Sequence, residues 1–273
     1  MITDRISQPA VSRRGVYAVP YSYEFPLPFT QAGETITVTM KIISEQDFEL
    51  YQIVADNSDQ FFFNIVDGST NSSLFDNPGS SLALTGTAQR PFTLPVSYIF
   101  ARNRSITITA TNGTTDDNPG TISLKGATLF DAPAAQGTTV RSNPRADWTR
   151  RDMEGSFFVY VKEINSIAGV PNSIQDSVTI FSNSDFELFY LNSSHDETVN
   201  FNLQLVDGSS GLRMFDNPTP LRNTAGIGQR PYVFPVSRVF RASGNININA
   251  IDAIGIPFAG KLHFIGANIR RIQ

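Results

Sequence analysis

The sequence predicts an all-β protein made of two tandem antiparallel β-sandwiches of jelly-roll type that arose by internal duplication. Two observations carry this. Apolar and polar residues alternate with period two in many short segments separated by Gly, Pro, Asn and Asp, and no stretch shows a convincing amphipathic helix. The chain also repeats itself at a constant spacing. Val66-Asp67-Gly68-Ser69 returns as Val206-Asp207-Gly208-Ser209, Phe75-Asp76-Asn77-Pro78 as Phe215-Asp216-Asn217-Pro218, and Gln89-Arg90-Pro91 as Gln229-Arg230-Pro231, each at the same offset (206 − 66 = 215 − 75 = 229 − 89 = 140). Pro95-Val96-Ser97 and Pro235-Val236-Ser237 keep it, as do Gly126-Ala127 and Gly266-Ala267. Upstream, Asp47-Phe48-Glu49-Leu50 matches Asp185-Phe186-Glu187-Leu188 at 185 − 47 = 138, so a two-residue insertion near Ser193–Glu197 separates the copies. One long offset means two copies of a folded unit, not a solenoid with repeats of about 20–50 residues.

Along the chain, Glu34–Ile42 alternates, and so does Arg104–Ala110, placing Ile106 and Ile108 inward and Thr107 and Thr109 outward. Asn245–Ala250 is its cleaner copy. Gln60–Val66 matches Asn200–Val206, and Thr121–Leu124 matches Lys261–Phe264. Arg104–Ala110 with Thr121–Leu124 predicts a hairpin, repeated as Asn245–Ala250 with Lys261–Ile265. The tip changes from polar in the first copy to apolar in the second, as expected if the copies meet different partners. The predicted organisation is an extended arm over 1–28, a first sandwich over 29–131, a linker over 132–154 and a second sandwich over 155–273. Pro9, Pro20, Pro26 and Pro28 argue against a central strand in the arm, whose Tyr23 and Phe25 are expected to bury against a neighbouring subunit. Trp148, the single tryptophan of the chain, lies in the linker and is expected to anchor packing between the sandwiches.

Composition narrows the function. The chain has 273 residues, enough for two cores of ordinary size. Net charge is −4, which does not suit a coat for nucleic acid. Cysteine is absent, so disulfides, thiolate metal sites and a Cys nucleophile are excluded. Met1–Arg14 is polar and lacks the apolar core of a secretion signal, and no segment approaches the ~18 apolar residues of a membrane span, so a soluble protein made in a cytoplasm is expected. Among the 21 basic residues, 17 are Arg and 4 are Lys. Arginine is weakly hydrated and makes forked bonds, which suits buried protein contacts, although lineage bias gives the same count.

Catalytic readings find little support. The two histidines, His195 and His263, suggest no third partner for a Ser-His-Asp arrangement and no zinc cluster. Phosphate-binding glycine motifs are lacking. The expectation is a protein without enzymatic activity, cofactor or resident metal. Asp67, Asp76, Asp207 and Asp216 could offer oxygens to calcium from loops, but Asp-Gly and Asp-Asn-Pro are common turns, and the turn reading is favoured. Arg90 and Arg230 are expected to tie Asp76 and Asp216 of their own copies, or else to hold a carboxylate across an interface.

The segment Arg90-Pro91-Phe92-Thr93-Leu94-Pro95-Val96-Ser97, with Phe100 and Ile106-Thr107-Ile108, resembles virion structural proteins of tailed bacteriophages. Its copy is Arg230-Pro231-Tyr232-Val233-Phe234-Pro235-Val236-Ser237, with Phe240 and Ile246-Asn247-Ile248. The resemblance covers the middle of each copy and is one of sequence style. It implies β-sandwich modules that decorate heads, form collars at the neck or adapt tails, with no catalytic residues. The tandem duplication departs from single-sandwich adaptors. The expectation is a homo-oligomeric structural component of the virion, made in the bacterial host cytoplasm. It would contact capsid, portal or neck subunits, as a collar at the head–tail neck or on the capsid surface, with no membrane and no direct nucleic-acid role. A carbohydrate- or receptor-binding β-sandwich and a double jelly-roll capsid subunit are the alternatives.

Overall fold

A computed structural model describes residues 16–42, 46–56, 61–115, 119–131, 153–165, 173–194, 201–252 and 259–271. The first copy contains β1 (Val16–Leu27), β2 (Thr35–Lys41), β3 (Asp47–Ala55), β4 (Phe61–Asp67), β5 (Ser72–Ser73), β6 (Gly79–Ser80), a single-turn helix α1 (Ser81–Leu84), β7 (Phe92–Phe100), β8 (Ser105–Asn112) and β9 (Gly120–Asp131). The second contains β10 (Met153–Asn165), β11 (Ser173–Thr179), β12 (Asp185–Ser193), β13 (Phe201–Asp207), β14 (Thr219–Pro220), a 3-10 turn at Leu221–Asn223, β15 (Tyr232–Phe240), β16 (Asn245–Asp252) and β17 (Ala259–Arg271).

The two copies share one strand order. In the first, a sheet β1-β9-β3-β7 faces a sheet β2-β8-β4-β5, with β6 also on β4; in the second, β10-β17-β12-β15 faces β11-β16-β13-β14. All these ladders are antiparallel. The chain is therefore all-β, a tandem pair of jelly-roll sandwiches. Inward residues of β4 and β8, such as Phe63, Ile65, Ile106 and Ile108, fill the first core. Leu203, Leu205, Ile246 and Ile248 do the same in the second. Outward on β2 and β8, Thr35, Thr37 and Thr39 pair through their hydroxyls with Thr111, Thr109 and Thr107 at 2.9–3.2 Å. Such cross-strand pairs each stabilise a sheet by about 0.2–1 kcal/mol.

The expected arm differs. Residues 1–15 lie outside the described residues, but 16–27 form β1, paired along its length with β9. Tyr23 and Phe25 are buried in the first core rather than held for a neighbour. Pro20 and Pro26 are compatible with this because β1 is an edge strand, where a residue whose nitrogen faces away from the ladder loses no bond. Trp148 and most of the expected linker lie outside the described residues, as do His195 and the two hairpin tips at 116–118 and 253–258.

Most repeated motifs are locks on turns and bulges. Asp67 and Asp207 accept hydrogen bonds from the Ser69 and Ser209 amides at 2.8 and 2.9 Å, closing the Asp-Gly turns. Register shifts at Leu50/Gln52 and Leu188/Tyr190 mark a bulge at the same place in β3 and β12. Opposite it, Gly126 and Gly266 leave room for the bulged backbone, since a Cβ there would lie 1.9 Å from the Glu49 carbonyl oxygen and 2.0 Å from that of Glu187. Beside each bulge a buried glutamate takes a hydroxyl bond. Ser97 donates to Glu49 at 2.6 Å, and Ser237 donates to Glu187. The Asp-Phe-Glu-Leu and Pro-Val-Ser repeats are thus two sides of one contact. We expect Gly266→Ala to lower stability by about 1–3 kcal/mol, the cost of overpacking, measured by thermal denaturation; unchanged stability would mean that the bulge does not need its glycine.

Candidate assembly interface

The two sandwiches share a surface built from one of the repeated motifs. Sheet β10-β17-β12 buries both faces. Phe158, Tyr160, Leu262 and Phe264 point into the second core, while Phe157, Val159, Val161, Ile265, Ala267 and Ile269 belong to the first. The chain after β5 lies along the edge of β10 as a clamp. The Val159 amide donates to the Leu74 carbonyl at 3.1 Å, and the Asp76 amide donates back to the Val159 carbonyl at 3.1 Å. The Val161 amide donates to the Asp76 carboxylate at 2.7 Å, and the Asn77 side-chain amide donates to the Val161 carbonyl at 3.4 Å. Phe75, 1% exposed, packs beneath. Phe-Asp-Asn-Pro therefore supplies short pairing to an edge strand, with the Asp side chain substituting for a backbone acceptor.

Further contacts extend the surface. The Ser80 amide donates to Nε2 of buried His263 at 3.0 Å, the Asn192 side chain donates to the Ala83 carbonyl at 2.7 Å, and the Gly228 amide donates to the Leu82 carbonyl at 2.8 Å. The Lys261 ammonium lies 2.9 Å from the Pro78 carbonyl and 4.3 Å from the centre of the Phe62 ring. Burial lowers its pKa, and Glu163 pulls the other way. Asp76 is half-buried, and desolvation pushes its carboxyl up to about 6 despite the Val161 and Asn77 bonds, which favour the charged form.

Among the described residues, the equivalent surface of the second copy is bare. Asp216 is exposed, and among the described residues its carboxylate takes the neighbouring Asn217 amide alone, at 3.1 Å. Phe215 is half-buried and stacks on Phe234. On the strand above, Val96 is 6% exposed in the first copy, whereas Val236 is 82% exposed in the second, with Val233 and Val239 exposed beside it. Four positions around this surface carry arginine in the second copy where the first has Ser73, Leu82, Tyr98 and Ala101; they are Arg213, Arg222, Arg238 and Arg241. Arg238 pairs with Asp207 at 3.2 Å, replacing the Tyr98 to Asp67 bond of 2.8 Å.

The predicted site residues separate accordingly. Asp76 is at the interface and Asp216 at its uncovered counterpart. The expected ties from Arg90 to Asp76 and from Arg230 to Asp216 do not form. Both arginines are exposed and act through their backbones, in tight turns where Thr87 and Arg90, and Ile227 and Arg230, exchange amide–carbonyl bonds of 2.9–3.1 Å. Asp76 is carried away from Arg90 onto β10. His263, expected on a sheet, is on one but wholly buried between the copies. Among the described residues no group of three His, Cys, Asp or Glu could hold a metal ion, and no helix is long and apolar enough to cross a membrane. The sequence reading missed Val159, Val161 and the clamp. Its available signal was the outward face of β10 and β17, apolar at Val159, Val161 and Ile265 where the first copy has Ser22, Glu24 and Lys125.

No protein-family profile matches the chain, and no curated protein sequence does. Among solved structures it is similar to the "STIV MCP", at 9% identity and a TM-score of 0.41, covering 92% of this chain and 97% of that one. It is also similar to a chain of Sulfolobus turreted icosahedral virus, at 11% identity and a TM-score of 0.29, covering 96% and 62%. A third, described as a triple jelly roll fold and turret assembly in an archaeal virus, gives 10% identity and a TM-score of 0.27, covering 95% and 61%. At these scores the likeness carries no argument about function.

Asp76 gives the interface a pH dependence. Its folded-state pKa is about 6 against the ordinary 3.8. The folded protein therefore holds the proton more tightly, and stability falls as pH rises from 3.8 through 6. Asp76→Asn keeps an acceptor for Val161 without a charge to bury. Its melting temperature should exceed that of the wild type by several degrees above pH 7, with the gap closing near pH 4 (about 2–4 °C per kcal/mol for a chain of this size). A gap independent of pH would show that the buried carboxylate is not the cause.

Proposed function

We propose that the protein is a non-enzymatic structural subunit of a virus particle that works by assembly with copies of itself and with other virion proteins. The observation that carries the assembly reading is the second copy's uncovered surface. It retains Phe-Asp-Asn-Pro and Pro-Val-Ser unchanged, yet exposes Asp216 and Val236, whose counterparts Asp76 and Val96 are covered in the first copy, and it exposes Val233 and Val239 beside them. Contiguous exposed apolar residues flanked by arginine mark a protein-binding surface. The virion setting is supported by the sequence resemblance of Arg90–Ser97 and Arg230–Ser237 to tailed-phage structural proteins. A collar at the head–tail neck follows from that resemblance. A double jelly-roll shell subunit is the second reading, favoured by the sheet that serves both cores, which makes the two sandwiches one building block rather than two beads on a linker.

A glycan-binding module would need an aromatic platform. Among the described residues the exposed aromatics are Tyr21 and Phe181, one in each copy. Sedimentation velocity on the purified chain over a range of concentrations, alongside an oligosaccharide array, tests the proposal. The expected result is concentration-dependent association with no glycan binding. A chain that stays monomeric throughout and binds oligosaccharide would overturn it.

A further inference from the structure

We propose that the bare Phe215-Asp216-Asn217-Pro218 clamp binds the free edge of β1 in a second copy of this chain, repeating between molecules the contact made within one. This inference rests on the assembly reading and names its contact.

The register identifies the receiving site. Val159 lies opposite Ile265, and Ser22 lies opposite Lys125, the equivalent of Ile265 at 265 − 125 = 140. Ser22 thus occupies in β1 the place of Val159 in β10, and Glu24 that of Val161. In β10 the amides and carbonyls of these two residues point away from β17, and the clamp takes them. In β1 the same groups point away from β9, and among the described residues no strand pairs with that edge. Pro20 and Pro26 have the same parity as Ser22 and Glu24, so neither can donate from this edge. The prolines blunt the edge and leave two amides between them, at Ser22 and Glu24, with Val16 and Ala18 of the same parity lying beyond Pro20. The Ser22 and Glu24 amides are the equivalents of the two that the clamp in the first copy binds.

The side chains around the two halves of this contact differ from the internal pair in a matched way. Val159 and Val161 become Ser22 and Glu24, while Ser73 and Leu82 on the clamp side become Arg213 and Arg222. The apolar edge at Val159 and Val161 is replaced by a polar one at Ser22 and Glu24, and arginines flank the clamp beside exposed Val236. The first sandwich over 16–131 carries 12 acidic and 5 basic residues, whereas 213–241 carries five arginines and one acid, Asp216. Opposite charge steers the two surfaces together. Because clamp and edge are different patches, the contact is heterologous. It closes into a ring or continues as a filament, according to the rotation between copies.

The test uses the full chain and two exposed substitutions. Asp216→Ala removes the side-chain acceptor of the clamp. Ser22→Pro removes one edge amide without taking a donor from the β1–β9 ladder. Circular dichroism and melting temperature should remain those of the wild type. In sedimentation velocity each variant alone should associate at least about tenfold more weakly than the wild type. An equimolar mixture should form a one-to-one dimer and stop, since the intact clamp of Ser22→Pro meets the intact edge of Asp216→Ala. Wild-type-like association of either variant, or a mixture that forms no dimer, would overturn the inference while leaving assembly through another surface intact. A wild-type chain that never associates would overturn the assembly reading itself.

Discussion

The structure depends on a four-residue segment pressed against the edge of a neighbouring sheet. Two jelly-roll sandwiches of about a hundred residues each can bury their own cores. What makes them one body is that the segment 74–77 pairs with β10, and that the outer face of β10-β17-β12 is apolar enough to belong to the first core as well as the second. A sheet buried on both faces loses the alternation of a half-exposed one. Hence β12 is buried at nearly every position, while β2 alternates between exposed and half-buried residues.

Duplication explains why the interface has an unfilled twin. Two equal units joined in tandem create one internal contact and leave two unmatched surfaces, a clamp at one end and an edge at the other. Mutation then acts on each separately. The internal edge is apolar and the outer edge polar; the internal clamp is covered and the outer one is flanked by arginines. Asp76 carries the cost of the covered position, a carboxylate raised to about 6 by burial.

Much of the fold was legible because each signal was local. Alternation at Ile106 and Ile108 fixes which side of β8 faces the core, and the Asp-Gly and Gln-Arg-Pro repeats mark turns that depend on a few neighbouring atoms. The constant offset gave two units with a shared strand order. The start of the first sandwich was not legible, because prolines at 20 and 26 read as breaks in a strand, and only the pairing with β9 shows that their nitrogens face away from the ladder. The interface was also hidden. Phe75-Asp76-Asn77-Pro78 and its copy are identical in sequence, and the flanking changes from Ser73 and Leu82 to Arg213 and Arg222 do not by themselves say that one is covered and the other bare. That difference arises from tertiary contact with residues more than eighty positions away, and its sequence trace, Val159 and Val161 against Ser22 and Glu24, emerges only once the strands are in register.

Native-state hydrogen exchange on the monomeric chain in dilute solution reads the clamp most directly. Val159 and Val161 lie on an edge strand with their amides facing outward, so only the clamp can protect them. The account predicts exchange of these two amides as slow as that of core strands, while Ser22 and Glu24, the equivalent amides of β1, exchange quickly. Fast exchange at Val159 and Val161, equal to that at Ser22 and Glu24, would contradict it.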